Sequence, residues 1–125
     1  MNQNEVVGAY FRYFKTKQAE DVWANEKVDE LARRDPDEGW KITRILVDAA
    51  PSNEALAFVA AGPLEDLLKN QGPAVIDRIE KEAESNDRLR LALSGVWLDS
   101  ENPIWKRWHA LMWKYGFTEG KRTPL

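Results

Sequence analysis

Apolar side chains in this chain recur every three or four positions, and each run of them ends at a proline, a glycine or a short polar turn. That spacing puts them on one side of an α-helix, because a helix repeats every 3.6 residues whereas a half-buried strand alternates every second one. Val6, Val7, Tyr10, Phe11 and Phe14 set the pattern in the first segment. β-branched residues are few and scattered, and no Asn-Gly or Asp-Gly pair separates two alternating runs, so no strand is expected. The fold class is all-α, a compact bundle of about eight short helices.

The stops divide the chain as follows. A first helix covers about residues 4–14, Lys15-Thr16-Lys17 is a hinge, and a second helix covers 18–34, ending in Arg33-Arg34 at the negative end of its dipole. Asp35-Pro36 opens a third helix, residues 36–50: the Asp caps it, the proline takes the first position where no donor is needed, and Glu38 completes a capping box. Ile42, Ile45, Leu46 and Ala49 share one side of it and Trp40 and Val47 another, so it touches neighbours on two sides. Ser52 caps a short fourth helix that Gly62-Pro63 breaks. A fifth, around Leu64, Leu67 and Leu68, stops at Asn70-Gln71-Gly72, and a sixth runs from Pro73 to about Glu84. Ser85-Asn86-Asp87 starts a seventh, whose stripe of Leu89, Ala92, Leu93 and Val96 runs into Trp97, and Asn102-Pro103 opens the last, residues 103–115. Residues 1–116 therefore read as a single helical domain, and 117–125 as a loosely held tail without periodicity.

Shifting the sequence by 34 residues lays Ile42-Thr43-Arg44-Ile45 on Ile76-Asp77-Arg78-Ile79. Each copy is a helix, a tight turn and a second helix, the unit of HEAT and tetratricopeptide solenoids. Two amphipathic helix pairs that obey the same packing rules would look alike as well, and the sequence leaves both accounts open.

At 125 residues the chain has room for one core, since two need about 200 or more. With 43% hydrophobic and 31% charged residues it can fill that core and solvate its surface. It has no cysteine, which excludes thiolate metal sites, thiol nucleophiles and disulfides, and suits a reducing compartment. A net charge of −3 provides no overall field for nucleic acid or an acidic membrane surface. The longest apolar stretch, residues 55–61, is too short to span a bilayer, and the first residues lack the basic then apolar character of a signal peptide. The expected location is the cytoplasm.

Few residues invite chemistry. His109 is the sole histidine, so no histidine pair or multi-histidine metal site can form within the chain. Gly62-Pro63 and Gly72-Pro73 do not make a phosphate loop, the serines lack a nucleophile-elbow motif, and neither metal, cofactor nor catalytic residue is assigned. Glu65 and Asp66, with Glu80, Glu82 and Glu84, suit a surface facing a basic partner, although helix capping and ordinary solvation are the more usual reason for such residues. Tryptophan is the anomaly: six in all, with Trp97, Trp105, Trp108 and Trp113 close together around His109. Aromatic residues anchor binding hot spots, and they also fill cores under Lys and Arg stems.

The pattern Asp35-Pro36…Trp40, Glu54-Ala55-Leu56-Ala57, Ala61-Gly62-Pro63-Leu64-Glu65-Asp66-Leu67-Leu68, Ile76-Asp77-Arg78-Ile79-Glu80 and Leu91-Ala92-Leu93…Gly95-Val96-Trp97 resembles a bacterial family of small proteins of unknown function, the DUF6869 type, over roughly residues 30–100. The resemblance implies a bacterial cytoplasmic helical domain and carries no activity with it. By analogy, small acidic helical proteins without cysteine serve as immunity halves of toxin pairs. Three functions follow in order. The first is a protein-binding module, most concretely an immunity-type inhibitor of a cognate toxin or enzyme, using Glu65, Asp66, Glu80, Glu84, Trp105, Trp108 and His109. The second is a small enzyme or ligand-binding protein in which His109 meets a carboxylate. The third, nucleic-acid binding by residues 103–125, conflicts with the acidic remainder.

Overall fold

The computed structural model describes residues 2–117, and all regular structure among them is helical. The segments are α1 (Gln3–Thr16), α2 (Val22–Arg34) after one 3₁₀ turn (Ala19–Asp21), α3 (Pro36–Ala49), α4 (Asn53–Val59), a π turn (Ala60–Leu64), α5 (Glu65–Ala83), α6 (Asp87–Ser94) and α7 (Trp105–Lys114). Because α4, the π turn and α5 run on without a break, the described residues form six continuous rods, not the eight expected. Of the tail expected over 117–125, Phe117 is held against α7, its N–H bonding the Met112 carbonyl at 2.8 Å, and 118–125 lie outside the described residues.

The local start signals act as their chemistry dictates. Asn2, Asp35, Ser52 and Asn86 each accept a hydrogen bond from the backbone N–H three residues on, at 2.9, 3.1, 3.1 and 3.0 Å. Each satisfies one of the donors that a helix start leaves without a partner. The carbonyl ends of three helices are closed from a distance. Gln71 donates to the Arg33 carbonyl at 2.7 Å, Arg88 to those of Val47 and Ala50 at 3.1 and 2.6 Å, and Arg90 to those of Ala83 and Glu84 at 2.6 and 2.7 Å.

The two expected breaks at Gly62-Pro63 and Gly72-Pro73 are absorbed inside one rod. A proline in a helix removes a donor and presses on the carbonyl four residues back. At Pro63 the ladder widens, so that the Glu65 N–H reaches back five residues to the Ala60 carbonyl, the hydrogen-bond step of a π turn. At Pro73 the strain is taken by Gln71, whose backbone leaves helical geometry (φ −129°, ψ 17°). The buried Gly72 faces Ile104 so closely that an added Cβ would stand 2.7 Å from its Cγ1, so the rod continues there because a neighbour packs against it. This continuity also means that the second helix of the first repeat-like unit leads straight into the second unit, without separate helix pairs.

Smaller corrections concern the ends. Ala49 is exposed; the chain leaves helical geometry at Ala50 (ψ 124°) and turns that residue inward. The seventh expected helix stops at Ser94, so Trp97 sits in a loop, and the last helix begins at Trp105 instead of at Pro103 because Asn102 bonds the Ile104 N–H in a tight turn ahead of it.

α2 packs on α1, α3 and α5, and α3 also meets α1, α4, α5 and α6, which makes it apolar on two sides, with Trp40 and Val47 buried as well as Ile42 and Leu46. The core is centred on Leu46, Leu56, Leu67, Ile76, Ile79 and Leu93, all essentially inaccessible to water. Each such side chain stabilises the fold by roughly 1.5–3 kcal/mol relative to exposure. No helix among the described residues is long and apolar enough to cross a membrane.

Candidate functional site

α7 presents Trp105, Trp108, His109 and Met112 at positions i, i+3, i+4 and i+7, one stripe of the helix. Trp108 forms the floor: it is buried, and its indole N–H donates to the Leu93 carbonyl at 3.1 Å, fixing α7 to the end of α6. His109 stacks on Trp105 with ring centroids 4.6 Å apart and planes 19° apart. Its Nε2 accepts a hydrogen bond from the Trp113 indole at 3.2 Å, so this arrangement needs the imidazole with Nε2 unprotonated.

The loop between α6 and α7 supplies the opposite wall. Trp97 and Leu98 from that loop, with Trp105, Trp108, His109, Met112 and Phe117, line a groove of about 150 Å³. Phe117 is returned to the groove by a glycine-dependent helix ending: Gly116 takes a left-handed conformation (φ 87°), its N–H bonds the Trp113 carbonyl, and the Phe117 N–H bonds the Met112 carbonyl at 2.8 Å. Trp97 is held by Glu65, whose Oε1 accepts its backbone N–H at 2.8 Å while Oε2 pairs with Lys69 at 3.2 Å. Among the described residues two large apolar side chains stay mostly in solvent, Trp97 at 73% and Trp113 at 57% exposure, and both stand at this groove or beside it.

Of the residues expected to bind a partner, the structure gathers Trp105, Trp108 and His109, with Glu65 joined to them through Trp97. It separates the others. Asp66 points to α2, where its charge acts on Asp29 and is opposed by Arg33. Burial raises both carboxyl pKa values above the ordinary range, and for Asp29 the Asp66 charge adds to the rise. Above them lies the Tyr10 hydroxyl, buried without a hydrogen-bond partner and raised in pKa first by burial and then by the two Asp charges. Sequence reading missed this cluster, whose members come from three helices. Glu80 is engaged by Arg107, whose Nε lies 3.2 Å from Oε2 and which also pairs with Asp77, so α7 is clamped to α5. Glu84 lies beyond it in a shallow depression with Lys106, Arg107 and Lys114, on the other side of α7 from the tryptophans.

The described side-chain contacts of His109 are both with indoles, Trp105 and Trp113, and no carboxylate lines the groove. Among the described residues no three His, Asp or Glu side chains converge as metal ligands. The arrangement can bury an apolar or aromatic-binding group against several rings, which is recognition chemistry.

Residues 13–116 match the family model of DUF6869, a family of unknown function. The chain belongs to that family. The match reaches past the segment that carried the resemblance and takes in all of α7 and the loop before it, so in this DUF6869 member the groove's Trp97, Trp105, Trp108 and His109 fall inside the family's own boundaries. No curated protein and no solved structure matches the chain.

Proposed function

We propose that this DUF6869 member is a protein-binding module whose contact surface is the groove between the Trp97 loop and α7. The observation that carries the reading is the pair of exposed indoles, Trp97 and Trp113, where the other large apolar side chains among the described residues are buried or half-buried. Leaving indoles in water is costly, and a partner that covers them recovers that energy. Trp is also the residue most enriched among hot spots, where truncation costs about 2 kcal/mol or more. Trp108 and the Glu65 bond to Trp97 hold the surface in shape before binding, which lowers the ordering cost of association.

The finer form of the reading is inhibition of a toxin or enzyme encoded beside this chain. The test is to mix the chain with the purified product of the adjacent reading frame. A complex should co-elute on a sizing column, and Trp97→Ala with Trp113→Ala should weaken it by about a factor of 30 or more for each hot-spot tryptophan. If the complex forms and the partner's activity falls at equal molar amounts, the module is an inhibitor. A complex unaffected by the double variant would place the interface elsewhere.

A further inference from the structure

At the end of α1 the chain holds an ammonium over three aromatic rings. The Lys17 Nζ lies 5.2 Å from the centroid of the Tyr13 ring, 5.5 Å from that of Phe14 and 4.7 Å from that of Phe58 in α4. Each is within cation–π reach. Among the described residues the ammonium has no carboxylate at ion-pair distance, so its contacts within the chain are with rings. The backbone places it there. Lys17 is the one non-glycine residue with a positive φ among the described residues (φ 57°, ψ 25°), and its N–H bonds the Tyr13 carbonyl at 2.8 Å to end α1. Glycine is the usual residue at such a helix end; here a lysine takes the position and its stem returns over the aromatic face. The rings are held in place by their neighbours: Phe58 meets Phe14 with centroids 5.0 Å apart and the fully buried Tyr10 with centroids 5.3 Å apart. Tyr13, Phe14 and Phe58 are all half-buried, so each keeps part of its surface toward solvent.

The chemistry this face selects is thus seated on it already. From this geometry we infer that Tyr13, Phe14 and Phe58 form a binding site for a quaternary ammonium ligand, which the chain's own Lys17 fills in the ligand's absence and vacates to admit it. A free primary amine brings nothing that Lys17 lacks, and Lys17, being tethered, competes at an effective concentration in the millimolar range. A methylated ammonium carries the same charge under a weaker hydration shell and lays a methyl group on each ring, the reason aromatic cages recognise such ligands. The headgroup of choline and the side chain of trimethyl-lysine share this chemistry. All four residues fall inside the family match over residues 13–116. The site is built by α1 and α4 and shares no residue with the tryptophan groove, so it stands or falls apart from the protein-binding reading.

The test follows the ring and Lys17 signals of the whole chain by nuclear magnetic resonance while tetramethylammonium chloride is added, with potassium chloride at the same ionic strength as the control. Before any addition, the Lys17 Cε protons should lie upfield of those of the other exposed lysines, the mark of a group above ring faces. Lys17→Gly removes the internal ligand and keeps the helix ending, because glycine takes a positive φ freely. It should bind tetramethylammonium about five-fold tighter than the unaltered chain, as expected when about four-fifths of the molecules hold the site closed. Tyr13→Leu added to Lys17→Gly should weaken that binding about three-fold, the share of one ring. Choline and N-acetyl-trimethyl-lysine amide should displace tetramethylammonium, the tighter of them naming the source of the ligand, while the uncharged carbon analogue of choline should not. The Trp108 indole signal reports that each variant is folded.

If the uncharged analogue binds as tightly as choline, the face is merely apolar and the inference is overturned. Equal affinity in the unaltered chain and in Lys17→Gly would overturn it as well, by showing that Lys17 guards nothing. So would Lys17 protons without an upfield shift, since the internal ligand would then be absent. A folded Lys17→Gly chain that takes up no tetramethylammonium would mean that the three rings are not an ammonium site.

Discussion

Two glycines in helix interiors should respond with opposite signs to the same change. In Gly8→Ala the new Cβ would meet nothing nearer than the end of the Arg12 side chain, 3.5 Å away. The variant should gain the full helix preference of alanine, about 0.8–1 kcal/mol. In Gly39→Ala the Cβ would stand 2.6 Å from the Leu31 carbonyl oxygen and 3.0 Å from the Ala32 Cα, both backbone atoms of α2. That carbonyl also accepts the Asp35 N–H at 2.9 Å, so relieving the clash strains the turn that starts α3. Overpacking of this kind costs roughly 1–3 kcal/mol, and with backbone atoms that cannot give way it outweighs the propensity gain, leaving a net loss of up to about 2 kcal/mol. For a chain of this length 1 kcal/mol corresponds to about 4 °C in melting temperature, so the two variants should differ by roughly 4–12 °C. Urea and thermal unfolding, with unchanged m-values, provide the measurement. A Gly39→Ala protein that melts at or above the wild type would show that α2 and α3 do not meet backbone to backbone, and the packing argument would fail with it.

Tyr10→Phe removes a buried hydroxyl that has no hydrogen-bond partner, so stability should be unchanged or rise by up to about 1 kcal/mol; a loss larger than that in urea unfolding would mean the hydroxyl is bonded. Asp29 has its pKa raised above the ordinary 3.8, first by burial and then by the Asp66 charge, with Arg33 opposing. The folded chain therefore holds that proton more tightly than the unfolded one, and the stability it contributes is complete below pH 3.8 and lost as the pH rises through the raised value. Asp29→Asn should melt higher than the wild type at pH 7 and alike at pH about 3; a benefit that persists in acid would contradict this. Glu65→Ala deprives the Trp97 N–H of its acceptor, and hydrogen exchange at that amide should speed up while the Leu46 amide in the core is unaffected. Arg107→Ala, despite contacts to both Asp77 and Glu80, should leave the thermal melt nearly unchanged, because exposed ion pairs trade Coulomb attraction against solvation and side-chain entropy.

What the sequence made legible was local. Asp35, Ser52 and Asn86 cap the helices they precede because a cap needs only its own next three residues. The stripe of Trp105, Trp108 and His109 was equally plain, since helical spacing alone defines it. The breaks at Gly62-Pro63 and Gly72-Pro73 misled for the opposite reason: whether a proline ends a helix depends on what packs around it, and Ile104, far along the chain, sits against Gly72. The same holds for the groove. Nothing near Glu65 announces that it will hold Trp97, and Tyr10, Asp29 and Asp66 meet through three separate helices. Exposure of Trp97 and Trp113 was illegible as well, because a tryptophan reads alike in a core and at an interface.

The π turn has a consequence for how this molecule tolerates change in length. Its one surplus residue works as a phase adjuster, clocking everything downstream by about a third of a revolution relative to α4. Trim a single residue from that stretch and the rod can regularise, but the carboxylate that steadies the tryptophan loop then swings out of reach. Insertions in the turns before α4 and α6 leave that alignment intact, so a small deletion at residues 60–64 should silence the groove in a protein that otherwise folds.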